Sequence, residues 1–288
     1  MNKYWILVRR EYWEHRALWA APLIVAALIL VGSLFGTASF SLPDSVDTDR
    51  KRGLFGLISW GLTVPFYITM AIVLLFYLLD SLYAERRDRS ILFWKSLPVS
   101  DTATVVSKFL VATLIAPLAA WSLGALTSLL SLGILGLRSL GASSNNSVLL
   151  WDTGLWLHVQ GLILLSVLVA ALWYAPIAAY LMVVSAWAKR SVFVWASLPP
   201  VLLIVTERYA FGTGHVQTFL RDRIVGFAKL LTGDASGEAG RSIPSVGRLF
   251  ESFDAVHFLN NPGLWVGVLL AVALLAFAVR LRRYRDDT

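Results

Sequence analysis

The 288 residues contain no cysteine, are 57% hydrophobic and only 15% charged, and carry a formal net charge of +7. The missing cysteine excludes disulfides, thiolate metal sites and cysteine nucleophiles, and the charged share falls well short of the roughly one quarter found in a soluble domain. Apolar residues come in long runs, so lipid is the expected solvent. The chain is expected to be one membrane domain, 1–288, too short to hold a nucleotide-binding engine as well.

The first element in chain order is the stretch MNKYWILVRREYWEHR, residues 1–16. On a helical wheel Lys3, Arg10 and Glu14 line one side, while Tyr4, Trp5, Val8 and Tyr12 face away. Aromatics opposite basic residues suit a helix lying in the membrane interface; a basic flank that only sets topology is the competing reading. Glu11 and Glu14 within this charged stretch, and the length of the run behind it, argue for an uncleaved first span rather than a signal peptide. Glu11 and His15, four residues apart, are expected to form a surface charge pair rather than half of a metal site.

Six apolar runs follow, at about residues 17–41, 54–79, 109–137, 155–188, 192–206 and 264–279. The fourth exceeds the ~20 residues that cross a bilayer, so either Pro176 kinks it or one end projects into water. The fifth is short and carries Pro199 and Pro200. Gly32 and Gly36 permit a close helix contact in the first run, a weak signal by itself. Six spans put both termini on one side. Fifteen basic and eight acidic residues fall on that side, against ten and ten on the other. The excess makes that side cytoplasmic, and it disposes of nucleic acid as the reason for the positive charge.

The span interiors read as aliphatic, aromatic, Gly, Ser or Thr, with Asp80 and His158 only near span ends. A proton- or sodium-coupled transporter needs an ion-handling group near the midplane, so the energy is expected to come from elsewhere. His15, His158, His215 and His257 are scattered, and neither H-E-x-x-H nor G-x-S-x-G occurs; Ser236 lacks the first glycine of the latter. With no polar cluster at one depth, an intramembrane enzyme is disfavoured. No Walker-type phosphate loop is present, so ATP and Mg are expected on a partner and not on this chain.

The connection between the second and third runs reads YAERRDRSILFWKSLPVSDTATVVSKFL, residues 83–110. A charged stretch precedes Ile91, Leu92, Phe93 and Trp94; Lys95 and Pro98 follow, and Ser100 with Asp101 can cap the next helix. Four consecutive bulky apolar residues in a loop need lipid or another protein to cover them. The block is either a docking helix or an interfacial aromatic turn.

This stretch resembles the hallmark segment of type-2 ABC exporter permeases: an acidic-basic run, an apolar helix, a turn containing Pro, then a Lys-Phe-Leu entry to the third span. The resemblance implies a coupling helix seated in an ATPase subunit. Ile91, Leu92, Phe93 and Trp94 would pack into that subunit, with Glu85, Arg87 and Lys95 at the rim and Pro98 closing the helix. Asp88 and Arg89 stand where the family often has Gly. Residues 1–16 resemble its interfacial helix and residues 185–191 its second cytoplasmic loop.

The resemblance implies an all-α integral membrane fold. It would be a six-helix transmembrane bundle with an N-terminal interfacial helix (1–16), spans one to five (17–206), an external helical segment (207–263), and span six with a basic cytoplasmic tail (264–288). In 207–263, Val216, Phe219, Leu220, Ile224, Phe227 and Leu231 keep helical spacing, as do Val246, Leu249, Phe250 and Phe253. Phe219, Ile224, Phe227, Phe250 and Phe253 are candidates for an external gate; two helices lying on the membrane are the alternative. The expected assembly is two permease chains, identical or paralogous, with two ABC ATPase subunits in the cytoplasmic (inner) membrane. It would export an amphiphile in contact with membrane lipid. A membrane sensor or assembly scaffold without transport is the other reading.

Overall fold

The computed structural model describes residues 3–36, 48–88, 99–141, 152–232 and 259–284, and every regular element among them is a helix. Twelve helices are described in chain order. The first six are α1 Lys3–Glu14, α2 Ala17–Phe35, α3 Thr48–Gly61, α4 Val64–Asp80, α5 Tyr83–Arg87 and α6 Asp101–Leu110. The others are α7 Ala116–Gly141, α8 Thr153–Trp173, α9 Ala175–Trp187, α10 Val192–Thr206, α11 His215–Thr232 and α12 Pro262–Tyr284. A π turn, Val111–Ile115, joins α6 to α7, and a second, Glu207–Phe211, extends α10. Six stretches are long and apolar enough to cross a membrane. Most of their residues face outward, as they do when lipid replaces water around a bundle. The fold is an all-helical bundle of the multi-pass membrane type.

The fourth apolar run divides into α8 and α9 at Tyr174. Pro176 stands in the first turn of α9 and has no N–H for the carbonyl one turn back, which is why the run bends there. The second run likewise divides at Leu62 and Thr63, between α3 and α4. Pro199 and Pro200, by contrast, lie inside a continuous α10.

Small residues set the closest packing. α9 runs along α12 more extensively than any other pair among the described helices. Ala175 and Ala179 of α9, four apart, meet Ala271 of α12, and all three are buried. Van der Waals contact between close backbones takes the place of a hydrophobic driving force in lipid. Gly32, in contrast, has no atom within 4 Å of where a Cβ would stand, so among the described residues it makes no close helix contact.

Charge-bearing contacts define two ends. At one end α1, α5, α6 and the last turn of α12 are joined by ion pairs. At the other, Arg138 donates to the carbonyls of Ser33 (2.6 Å) and Gly36 (2.6 Å), closing the C-terminus of α2. Arg52 there pairs with Asp152 at 3.0 Å, and Asp152 caps α8 through Leu155 N–H. The two ends of the chain's described length, α1 and the last turn of α12, therefore lie at the same end of the bundle.

Candidate functional site

Glu85 is the centre of a buried ionic node. It follows a short break after α4, where the hydroxyl of Ser185 accepts hydrogen bonds from the backbone N–H groups of Leu82 and Tyr83, both at 3.0 Å. That side-chain cap holds the first turn of α5 against the end of α9. Arg86 adds to the join by donating to the carbonyls of Ser185 (2.7 Å) and Ala188 (2.9 Å). Two residues after Tyr83, Glu85 turns its carboxylate inward, and the residue is 6% exposed.

Three cations from three helices converge on it. Arg10 of α1 donates to Glu85 Oε1 at 2.9 Å, and Lys108 of α6 lies 3.3 Å from the same oxygen. Arg282 of α12 bonds Oε2, and its Nε reaches Asp101 at 2.9 Å. Lys108 also pairs with Glu11 at 2.9 Å, and the phenol of Tyr77 donates to Glu11 Oε2 at 2.9 Å. Glu11 and Lys108 are each 1% exposed. In its buried part three carboxylates (Glu11, Glu85, Asp101) thus face three cations (Arg10, Lys108, Arg282), and Glu14 adds a fourth carboxylate on Arg10 at the exposed edge. Burial disfavours the Arg10 cation, but the hydrogen bond to Glu14 and the charges of Glu11, Glu14 and Glu85 outweigh it and hold its pKa above the ordinary value.

The node bears on two expectations. Glu85 is enclosed by groups of its own chain, whereas the resemblance put it at a rim facing another protein. Glu11 with His15 is not a surface pair: Glu11 is buried, and His15 lies 3.9 Å away with its ring edge-on to Tyr77. Glu11, Glu14 and His15 offer ligand atoms within 4.8 Å of one another, yet Lys108 and Tyr77 already occupy the Glu11 oxygens, which argues against a cation there. Arg86 is a structural tie to the end of α9. Arg87, half-exposed or more, pairs with its neighbour Asp88 at 3.0 Å. Ile91, Leu92, Phe93, Trp94, Lys95 and Pro98 lie outside the described residues. Ser100, just beyond them, caps α6 by accepting from Ala103 N–H at 3.2 Å.

At the opposite side of the α9 break, α11 docks on the bundle through Arg223. Arg223 is 2% exposed, and its guanidinium lies 4.3 Å from the centre of the Trp173 ring and donates to the carbonyls of Trp173 (3.1 Å) and Gly263. The Trp173 indole returns a bond to the Arg223 carbonyl at 2.9 Å. A cation at the C-terminal end of α8 answers that helix's negative dipole end, while burial lowers the pKa of Arg223 from its ordinary value. Gly267 of α12 makes room for it, since a Cβ there would collide with the guanidinium. Of the candidate gate residues, Phe219 and Ile224 lie on α11 at 39% and 62% exposure. Phe227 belongs to α11 with its side chain outside the described set; Phe250 and Phe253 lie outside the described residues. Arg223 itself carries no signal in the sequence beyond being a basic residue on an amphipathic helix.

A third polar group is also invisible in the apolar run that holds it. Gln160 of α8 is 3% exposed and donates to Ser128 (3.3 Å) and, weakly, Ser59 (3.5 Å). Trp156 donates to the same Ser128 hydroxyl at 3.2 Å. The span interiors are therefore not confined to aliphatic, aromatic, Gly, Ser and Thr side chains. This neutral node joins α3, α7 and α8, and adds no ion-handling group.

No protein-family model, no curated protein and no solved structure matches this chain.

Proposed function

We propose that the chain is the permease subunit of an ABC exporter, with residues 89–98 as the segment on which a separate ATPase acts. The observation that supports this most is the way that segment is framed. Glu85 before it and Asp101 after it are both held by Arg282, and Glu85 is bound in addition by Arg10 and Lys108. A push on 89–98 is delivered through these bonds to α1, α6 and α12 together. Arg86 delivers it to the end of α9 as well. Charge-assisted bonds of this kind in a buried setting transmit force because breaking any one strands a charge.

In this reading both termini and residues 83–110 face the cytoplasm, ATP and Mg belong to the partner, and two permease chains, alike or paralogous, carry two ATPases. The segment 207–263, anchored by Arg223, covers the exit path on the outer side, and the cargo is an amphiphile. The scaffold reading shares the topology but needs no rigid link from the loop to four helices.

The test is copurification and coupling. The chain is expected to bring down an ATPase whose hydrolysis rises on reconstitution, and Leu92→Ala with Trp94→Ala is expected to abolish that association. Intact association with both substitutions would refute the role of 89–98. Glu85→Gln should leave association in place and reduce the stimulation of hydrolysis, because the partner surface survives while the link to the spans is weakened.

A further inference from the structure

A groove of about 660 Å³ opens laterally beside the ionic node, between the α1–α2 junction, α4 and α10. Its walls are apolar and aromatic: Leu18 of α2, Ile72 and Phe76 of α4, and Phe193 of α10. α10 has no fully buried residue among its fifteen, although Val192 and Ala196 pack against the bundle, and the groove is open beside it. At the ionic end of the bundle the groove is lined by Arg16, Asp80 and Glu14, the last already paired with Arg10 at 2.8 Å.

Arg16 and Asp80 differ from their neighbours. Arg10, Glu11, Glu14, Glu85, Lys108, Asp101 and Arg282 are bound within or beside the node, and Arg87 is bound to Asp88. Neither the Arg16 guanidinium nor the Asp80 carboxylate has a hydrogen bond or ion pair among the described residues. His15 lines the same groove, and burial lowers its pKa below the ordinary value. Among the described residues, Arg16 and Asp80 are thus a cation and an anion at the end of an apolar slot that make no hydrogen bond or ion pair.

We propose that this groove binds a zwitterionic glycerophospholipid. Its phosphate would lie toward Arg16, its ammonium toward Asp80, and its acyl chains against Leu18, Ile72, Phe76 and Phe193. Guanidinium pairs with phosphate in a geometry matched to both, and a carboxylate accepts hydrogen bonds from a primary ammonium. A purely anionic headgroup satisfies Arg16 but sets its charge against Asp80. A purely cationic one does the reverse. Only a dipolar headgroup answers both ends, and the open lateral side lets it enter from the plane of the membrane. The site requires no ATP, so it stands whether or not the chain is an exporter permease.

The test is native mass spectrometry of delipidated protein titrated with dioleoyl phosphatidylethanolamine or with dioleoyl phosphatidylglycerol, which share phosphate and chains and differ in the ammonium. Wild-type protein is expected to retain phosphatidylethanolamine at least about fivefold more tightly, the equivalent of about one exposed charge contact. Arg16→Gln and Asp80→Asn should each cost the zwitterion about that factor. Asp80→Asn alone should erase the preference over phosphatidylglycerol. Phe76→Trp, which leaves both charges in place and fills the slot, should reduce binding of both lipids. Equal affinity of wild-type protein for the two lipids, or unchanged affinity in both charge variants with unaltered circular dichroism, would overturn the site. Hydrolysis by a partner ATPase is not measured, so either outcome leaves the exporter reading to its own test.

Discussion

Lys108 shows how much a single side chain holds in this bundle. Its ammonium lies within 2.9 Å of Glu11 and 3.3 Å of Glu85, with 1% of the residue exposed. Lys108→Met keeps the packing of the stem but leaves two buried carboxylates to share Arg10, Arg282 and the Tyr77 hydroxyl. Losing one partner of a buried ionic group costs about 3–5 kcal/mol. The melting midpoint in detergent is expected to fall by on the order of 10 °C, where Arg87→Met, at an exposed pair, should move it by no more than about 2 °C. His15 gives the node a pH dependence. Burial lowers its pKa from 6.5, with Lys108 of α6 acting in the same direction; Glu11 and Glu14 of the preceding helix and Asp80 of α4 oppose the shift without reversing it. A folded pKa below the unfolded one means that the unfolded chain takes up the proton first as pH falls. The stability tied to neutral His15 is thus complete above about pH 6.5 and is lost as pH drops through the folded value. The melting midpoint should decline between pH 7.5 and 5.5, and His15→Gln should make that decline smaller; an identical decline in the variant would exclude His15 as a source.

Among the helices, the docking of α11 is the contact most open to a single small change. Arg223 fits over Gly267 only because that residue has no side chain. Gly267→Ala adds one methyl group to a filled site, costing about 1–3 kcal/mol, and the guanidinium is the part able to move. Backbone amides of α11 are expected to exchange with deuterium faster in the variant, with α12 unaltered. Unchanged exchange would mean that Arg223 does not hold α11. The joint between α7 and α8 gives a second contrast. Ser128 accepts from both Gln160 and Trp156 while donating to the Ala125 carbonyl at 2.9 Å. Ser128→Ala leaves two donors without that acceptor, whereas Gln160→Leu removes a donor and leaves Ser128 bonded to Trp156 and Ala125. The serine variant should therefore be the less stable by about 1–3 kcal/mol, read from the melting midpoint.

These elements also show what the sequence could reveal. Spans are written locally, as runs long enough for a bilayer, and the bend in the fourth was foreshadowed by Pro176. The cap at Ser100 was legible because capping acts over three residues. The node was not: Arg10 and Glu85 are 75 residues apart, and Arg282 and Glu85 are 197 apart. Fifteen basic residues on one side look alike in sequence, and only the packing selects Arg10, Lys108 and Arg282 for burial. Gln160 was lost inside a run whose average is apolar.

For the whole molecule the decisive quantity is sidedness. The ion pairs fix α1, α5, α6 and the last turn of α12 at one end, and Arg138 with Ser33 and Arg52 with Asp152 at the other. On the proposed six-span topology the charge excess of +7 falls at the first end, which would make that end the cytoplasmic one. The native chain has no cysteine, so single cysteines report position without background. Arg89→Cys, just after α5, is expected to resist a membrane-impermeant maleimide in intact cells and to react once the membrane is opened. Asp234→Cys, just after α11, should react in intact cells. Six crossings require opposite answers, because 89 follows the second span and 234 follows the fifth. Equal labelling from one side would mean that an apolar helix between them does not cross. α10 would then be the one to suspect, since none of its residues is buried in the bundle and Pro199 and Pro200 interrupt its backbone hydrogen bonding.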